Sequence, residues 1–256
     1  MQLKNNSNGE KLIKYEDVYK SFGTKQVLDG ANLDVKAGEV LTIIGGSGTG
    51  KSVMLKLLMG LLEPDSGNVF FGDENIVDKS EEELLEIRKK IGMLFQSSAL
   101  FDSLTVYENI AYPLREHTKI PENEIEKKIK DKLSLVNLFN VERLYPAELS
   151  GGMKKRVALA RAIVFEPCLI LYDEPTTGLD PSTSNLINEL IINLQKKLKV
   201  TSIVVTHDMN SVKMIADRIA MLYKGKIIVE GPAESVLNSE DEIVSDFVTG
   251  QISHAT

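Results

Sequence analysis

The chain has 256 residues, a length that suits one α/β domain with a smaller appended subdomain. Of these residues 43% are hydrophobic and 26% charged, and this composition predicts a globular core. Its formal net charge of −7 argues against a dedicated nucleic-acid-binding protein, because phosphate backbones attract basic surfaces. The single cysteine, Cys168, excludes an internal disulfide and is expected to be a buried structural thiol. Residues 1–10 are polar and no apolar run reaches about 18 residues, so we expect a disordered lead-in, no signal peptide and no membrane-spanning helix.

The N-terminal part of the chain predicts mainly strands. Residues 11–18 and 27–35 alternate apolar and polar side chains, as half-buried antiparallel strands do, with a turn over residues 19–26 between them. Further strands are predicted at residues 40–44, 68–72 and 91–95. A charged helix is predicted over residues 80–90, where Ser80 and Glu83 have the spacing of a capping box.

The middle of the chain predicts helices. Residues 106–114 and 122–135 show helical periodicity, Pro121 is suited to the first turn of the second helix, and Ser150 is suited to cap a third. We therefore expect a helical insertion over residues 97–165. Strands and helices then alternate, and the expected elements are a buried strand at 169–173, a helix at 181–198, a strand at 201–206, a helix at 212–216, a hairpin at 219–230 and a helical tail at 236–256.

The segment GGSGTGKS at residues 45–52 follows the strand at 40–44 and precedes a helix, and it matches the Walker A pattern of phosphate-binding loops. Its glycines let the backbone turn several N–H groups toward a phosphate, and the helix N-terminus adds partial positive charge. Lys51 is suited to reach the β- and γ-phosphates of a nucleotide, and Ser52 to ligate Mg²⁺. The residues assigned to the phosphates are Gly45, Gly46, Ser47, Gly48, Thr49, Gly50, Lys51 and Ser52.

The strand LILYD at residues 169–173 ends in two acids. Asp173 at its tip is suited to hold Mg²⁺, which prefers few carboxylates together with water. Glu174 is the candidate general base that orients and deprotonates an attacking water. The fold that these elements predict is a P-loop NTPase with a mostly parallel central sheet, an N-terminal antiparallel β subdomain and an inserted α-helical subdomain.

The segment LSGGM at residues 149–153 makes the resemblance specific, because it is similar to the signature motif of ATP-binding cassette (ABC) ATPases. The other motifs of that family follow in the expected order: Gln96 resembles the Q-loop glutamine, Asp180 the D-loop aspartate and His207 the switch histidine. Phe22 stands where the family has an aromatic residue that stacks on adenine. The resemblance covers residues 11–235 and implies ATP and Mg²⁺ as ligands.

The resemblance also implies an assembly. In ABC ATPases two copies form a head-to-tail homodimer, in which Ser150, Gly151, Gly152 and Asp180 act on the nucleotide held by the other copy. Gln96 is implied to sense Mg²⁺ and the attacking water, and His207 to contact the γ-phosphate or position the water. Met153 departs from the glutamine that is usual in this motif and removes a polar group near the other copy's nucleotide. Ser150 is alternatively an ordinary helix cap.

Residues 96–118, together with LSGGM, resemble the MlaF-like ATPases of MCE-type phospholipid transport across bacterial envelopes. That resemblance implies a multi-spanning permease of the MlaE-like kind as direct partner, an MCE-domain lipid-binding protein as indirect partner, no nucleic acid, and a peripheral position on the cytoplasmic face of the inner membrane. It further implies that Leu100, Phe101, Leu104 and Val106 form a groove for the permease. These four residues are alternatively the core of the helical insertion.

Other functions are compatible with parts of the sequence. An ATPase subunit of an importer for amino acids or other small solutes shares every ATP motif, and only residues 96–118 separate it from the lipid group. A non-transport ABC protein of translation or DNA repair is less favoured, since the chain has one cassette, no sustained heptads and no basic character. A GTPase would carry an N-K-x-D motif, which the sequence lacks.

Overall fold

The computed structural model describes residues 10–251, which form two compact units. Unit 1 contains residues 10–87 and 201–251, and unit 2 contains residues 88–200. The lead-in predicted for residues 1–10 lies outside the described residues except for Glu10. Between residues 10 and 251, no helix has both the length and the apolar character needed to cross a membrane.

Unit 1 begins with an antiparallel sheet in the order β2-β1-β4-β5. Its strands are β1 (Lys11–Phe22), β2 (Lys25–Lys36), β4 (Ser66–Phe71) and β5 (Glu74–Asn75). The predicted alternation is confirmed, since the buried and exposed residues alternate over much of β1 and β2. Both strands are longer than predicted, so the turn between them shrinks to two residues, and Gly23 adopts φ +59° there. The two-residue β5 was not predicted.

The second sheet of unit 1 carries the phosphate-loop strand at its centre. Here β3 (Val40–Ile44) pairs in parallel with β8 (Thr201–Val205) on one side and β9 (Arg218–Tyr223) on the other. The predicted hairpin is confirmed, because β10 (Lys226–Pro232) pairs antiparallel with β9. All residues of β3 and β8 are buried, as expected of strands covered on both faces.

Five helices accompany these sheets, namely α1 (Lys51–Leu58), α2 (Glu81–Arg88), α7 (Met209–Ile215), α8 (Ala233–Leu237) and α9 (Glu242–Thr249). The predicted capping box at α2 is present: the Ser80 backbone N–H donates to Glu83 Oε2 at 2.9 Å, and the Glu83 N–H donates to Ser80 Oγ at 3.4 Å. Apolar residues of α7, α8 and α9 pack with β3 and β9 into one core cluster.

Unit 2 combines a parallel strand pair with helices. The strand β6 (Ile91–Leu94) pairs in parallel with β7 (Leu169–Asp173). The helices are α3 (Val106–His117), α4 (Glu122–Leu135), α5 (Gly151–Ala162) and α6 (Pro181–Leu198), and a 3₁₀ turn covers Pro146–Glu148. Pro121 precedes α4 as its N-cap instead of lying in the first turn. The fold prediction is confirmed by the parallel strands, the antiparallel subdomain and the helices of this unit.

Candidate functional site

The phosphate loop connects β3 to α1 in unit 1. The Lys51 ammonium donates to the carbonyl oxygens of Gly45 and Gly46 at 2.8 and 2.9 Å, so the lysine lies along the inside of its own loop. The Thr49 hydroxyl donates to the Gly46 carbonyl at 2.9 Å. Lys51 is only 6% exposed. The loop therefore holds its cation against neutral carbonyl acceptors, which an anionic phosphate could replace.

Two glycines of this loop have conformations that other residues would not tolerate. Gly45 has φ +151°, and a Cβ there would lie 2.3 Å from the carbonyl oxygen of Leu222. Gly50 has φ +110°, and its Cβ would meet Val27 Cγ1 at 2.7 Å. Gly50 is also the N-cap of α1 and offers no capping side chain, so the first turn of that helix is available to an anion.

These features fit a nucleotide phosphate. The loop combines backbone N–H donors, a helix N-terminus and the Lys51 ammonium within eight residues. Ser52 is the second residue of α1 and partly buried, at the position where a hydroxyl could ligate Mg²⁺. Phe22, at the end of β1 in the same unit, is 48% exposed and has the Lys20 ammonium 5.7 Å from its ring centroid. Its exposed face is available for stacking.

His207 follows β8 and is exposed. The next residue, Asp208, caps α7 by accepting hydrogen bonds from the Asn210 N–H at 3.0 Å and the Ser211 hydroxyl at 2.6 Å. His207 also lines an open groove together with Phe247 and neighbouring residues of α9. The sequence predicts a helical tail, but no sequence pattern predicts that α9 lies beside His207.

In unit 2, the two acids at the end of β7 are nearly buried. Asp173 is 7% exposed and Glu174 is 8% exposed. Glu174 has φ +48°, a left-handed conformation that few non-glycine residues adopt. Its Oε2 accepts a hydrogen bond from the Thr177 hydroxyl at 3.1 Å. The candidate base therefore has a fixed backbone and a fixed carboxylate.

Sequence reasoning missed one residue that contacts this region. The Lys155 ammonium donates to the carbonyl oxygen of Gln96 at 2.6 Å and to that of Glu174 at 3.2 Å. The structure thus brings the backbones of Gln96 and of the candidate base together through one side chain. The signal was present in the helix periodicity, because Lys155 shares the buried face of α5 with Gly152 and Leu159.

The signature segment begins α5. Ser150 is exposed and caps the helix, with its Oγ accepting from the Met153 N–H at 3.3 Å. Gly151 is exposed as well, whereas Gly152 is buried, and a Cβ on it would lie 2.4 Å from Thr183 Cγ2 of α6. The ordinary capping function of Ser150 is therefore observed, and its hydroxyl remains accessible to a ligand.

Asp180 is the N-cap of α6. Its carboxylate accepts from the Thr183 N–H at 3.0 Å and from the Thr183 hydroxyl at 2.6 Å, and these bonds hold the pKa of Asp180 below its usual value.

The four residues considered for a permease groove differ in their exposure. Val106 is fully buried in α3, which favours the core alternative for this residue, whereas Phe101 is 47% exposed and Leu100 and Leu104 are partly buried.

Cys168 is partly buried, so it is less enclosed than the buried thiol that the sequence predicted. Burial raises the pKa of its thiol, whose Sγ donates to the Lys90 carbonyl at 3.5 Å. His117 packs near Phe165 with ring centroids 6.4 Å apart.

The phosphate loop on a parallel strand and the paired acids on a second strand define a P-loop nucleotide hydrolase. The profile of the family described as "ABC transporter" matches residues 28–177. The chain therefore belongs to the ABC transporter family, and it is an ATPase of the ATP-binding cassette type.

Individual relatives agree with this membership. The "Intermembrane phospholipid transport system ATP-binding protein MlaF" of Haemophilus influenzae is 44% identical over 242 residues, which cover 94% of this chain and 92% of that protein. The "Probable ribonucleotide transport ATP-binding protein mkl" of Mycobacterium leprae is 43% identical over 239 residues, covering 93% and 69% respectively. The predicted resemblance to MlaF-like ATPases is thus confirmed.

A solved structure supports the fold. The dimeric ATP-binding cassette MJ0796, bound to ADP and Pi in a post-hydrolysis state, has a TM-score of 0.80 and 34% sequence identity. The match covers 87% of this chain and 99% of that chain.

Proposed function

We propose that this chain is the ATP-hydrolysing subunit of a phospholipid transport system. The observation that carries the proposal is the 44% identity to an MlaF protein over nearly the full length of both chains. The agreement extends well beyond the ATP motifs that all cassettes share. The chain would work at the cytoplasmic face of the inner membrane as a peripheral subunit, as its similarity to a phospholipid transport ATP-binding protein suggests.

In this proposal, unit 1 binds the nucleotide. The loop at residues 45–52 would hold the phosphates, with the Lys51 ammonium moving from its carbonyl partners to phosphate oxygens. The Ser52 hydroxyl would ligate Mg²⁺, and the exposed ring of Phe22 would stack on adenine. His207 would contact the γ-phosphate or position the attacking water.

Unit 2 supplies the hydrolytic groups. Asp173 would hold Mg²⁺, directly or through water, and Glu174 would accept a proton from the attacking water. Gln96 would sense Mg²⁺ and this attacking water. The near-complete burial of both acids supports these roles, because electrostatic interactions are stronger where water is excluded.

The active form would be a head-to-tail homodimer with a self-complementary interface. The exposed Ser150 and Gly151 at the N-terminus of α5, with Gly152 and Asp180, would act on ATP held by the other copy. The dimeric state of the related cassette MJ0796 supports this arrangement. ATP would close the dimer and hydrolysis would reopen it, which gives a permease a two-state motion to use.

An exposed aromatic pair marks the proposed permease contact. Phe101 and Tyr112 are 47% and 46% exposed, and their rings meet edge to face with centroids 5.4 Å apart. Exposed aromatic side chains are common anchors of protein interfaces. This pair would receive a multi-spanning permease of the MlaE-like kind, and an MCE-domain protein would exchange phospholipid with that permease.

Affinity purification of the tagged chain from gently solubilised native membranes tests this function. We expect mass spectrometry to find a multi-spanning permease, an MCE-domain protein and phospholipid. Phe101→Ala should reduce permease recovery, whereas Phe139→Ala, at an aromatic residue that is 65% exposed elsewhere in unit 2, should not. Recovery of a solute permease with a soluble binding protein, or of nucleotides as cargo, would contradict the lipid assignment.

A further inference from the structure

The buried amine of Lys155 lies at a junction of three segments of unit 2. Lys155 is 4% exposed and belongs to α5, the helix that begins with the signature residues. Its Nζ lies 2.6 Å from the carbonyl oxygen of Gln96, after β6, and 3.2 Å from that of Glu174, after β7. One ammonium group thus bonds the backbones of the Q-loop and of the candidate base.

Burial of this amine is costly. Burial lowers the pKa of Lys155, while the carboxylates of Asp173 and Glu174 oppose that shift by favouring the charged form. An apolar side chain of similar length would fill the same space without this cost. We therefore expect the ammonium group of Lys155 to have a role that a packed methionine or leucine could not perform.

The contact with Glu174 opposes backbone strain. A non-glycine residue in the left-handed region is strained and persists only where its surroundings impose it. At Glu174 the carbonyl oxygen accepts hydrogen bonds from Lys155 and from the Thr177 N–H, the latter at 3.3 Å. These two donors hold the peptide orientation that determines where the carboxylate points.

The contact with Gln96 is reinforced by a second cation of the same helix. Arg161 Nη2 donates to the Ser98 carbonyl oxygen at 3.0 Å, two residues after the Gln96 contact. The helix α5 therefore bonds the Q-loop backbone at two points, and Lys155 extends that connection to Glu174. A displacement of α5 would therefore move the backbones of Gln96 and Glu174 together.

We propose that Lys155 is a positioning residue for ATP hydrolysis, which fixes the backbones of Gln96 and Glu174 to the signature helix through its ammonium group. Lys155 touches neither nucleotide nor water in this role; it acts through Glu174 and Gln96. The inference rests on the hydrolytic role proposed above for Glu174. It makes the geometry of the base depend on the position of the helix that meets the other copy's ATP.

Three variants of the full chain test this role. Lys155→Met keeps the length and apolar body of the side chain but removes all donors, and Lys155→Arg retains a cation with several N–H groups. Lys154→Met is the matched control, because Lys154 is the adjacent, less buried residue of the same helix. Steady-state ATP hydrolysis gives kcat and KM, and thermal unfolding gives the stability of each variant.

We expect Lys155→Met to lower kcat at least about tenfold with KM for ATP within about twofold, which is the signature of a lost transition-state contribution. Lys155→Arg should recover part of kcat, and Lys154→Met should match the wild type. If Lys155→Met does not fold, the partial rate of Lys155→Arg and its unchanged KM still decide the question. The proposal is overturned if Lys155→Arg and Lys155→Met are both stable and both hydrolyse ATP as fast as the wild type.

A double variant separates this inference from the proposed function. If Lys155 acts through Glu174, adding Lys155→Met to Glu174→Gln should not slow single-turnover hydrolysis further, because the two changes remove one shared contribution. If the rate losses of the two single variants multiply in the double variant, Lys155 acts independently of the base. Undiminished turnover in Glu174→Gln alone would instead refute the role of Glu174, and normal turnover in Lys155→Met beside an inactive Glu174→Gln would refute the role of Lys155 only.

Discussion

Replacing Gly45 by alanine should damage the phosphate loop in a way that the structure quantifies. Gly45 has φ +151°, and the added Cβ would lie 2.3 Å from the Leu222 carbonyl oxygen, inside the 3.0 Å that real Cβ atoms respect. The conformational strain alone is about 1–3 kcal/mol. With the carbonyl contact added, we expect Gly45→Ala to lower the free energy of unfolding by about 3–4 kcal/mol.

Two other glycines provide matched controls in unit 1. Gly67 has φ +89°, and its Cβ would lie 2.1 Å from the Asp17 carbonyl oxygen, so Gly67→Ala combines strain and a backbone clash away from the phosphate loop. Gly72 has φ +60° with open space around it, so Gly72→Ala carries strain alone. We expect Gly67→Ala to be about as destabilising as Gly45→Ala, and Gly72→Ala to cost about 1–2 kcal/mol.

Thermal unfolding and ATP affinity measured on the same samples distinguish these effects. A loss of 3 kcal/mol corresponds to a fall in Tm of about 6–12 °C for a chain of this size. Below the transition, Gly45→Ala should weaken binding of a fluorescent ATP analogue at least tenfold, or about 1.4 kcal/mol. Gly67→Ala and Gly72→Ala should leave the Kd within about twofold. Wild-type affinity in Gly45→Ala, or equal loss of affinity in Gly67→Ala, would show that the conformation of Gly45 does not determine phosphate binding by the loop.

Three further predictions concern other parts of the chain. Tyr15→Phe removes the buried hydroxyl that donates to the Met54 carbonyl of α1 at 3.0 Å, so it should cost about 1 kcal/mol in unfolding, whereas Tyr112→Phe at an exposed ring should stay within about 0.5 kcal/mol. Asn109 is fully buried and its side chain bonds the backbone of residues 101, 104 and 105, so Asn109→Leu should cost about 2–3 kcal/mol and reduce permease recovery, with ATP affinity unchanged in the folded protein. Hydrogen bonds from the Ser80 N–H and hydroxyl, and the Lys79 ammonium, lower the pKa of Glu83 from 4.5 to about 2. Since the folded pKa lies below the unfolded one, this cap's contribution to stability is complete above about pH 4.5 and is lost as pH falls toward about 2, which an NMR titration of Glu83 and the pH dependence of unfolding in Glu83→Gln against wild type will check.

Elements with strong local signals were predicted closely. The bounds of α4, β7 and α6 coincide with the predicted ranges. In α6 the sequence Asp180–Pro181 supplies both a capping side chain and a residue suited to the first helical position. In β7 a continuous apolar run ends abruptly at two acids. The phosphate loop and both acids were found for the same reason, since each motif is contiguous in sequence.

The residues that were missed depend on tertiary contacts. The helix periodicity indicates that Lys155 is buried, but the carbonyl groups that it bonds lie 59 and 19 residues away, and no local pattern specifies these partners. The Asn109 side chain is satisfied by a loop whose path is set by packing. Val106 was ambiguous between core and groove, because an apolar residue at a helix start suits either location. The extension of β1 and β2 to a two-residue turn likewise came from their mutual pairing.

We propose that ATP hydrolysis by this chain drives phospholipid transfer. The most direct test is to purify the membrane complex through the tagged chain, reconstitute it in vesicles and follow transfer of a fluorescent phospholipid with and without ATP. We predict ATP-dependent transfer by the wild type, and none by a Glu174→Gln complex that still assembles and binds ATP. Phospholipid transfer that does not depend on ATP, or that persists in the Glu174→Gln complex, would contradict ATP-driven transport by this chain.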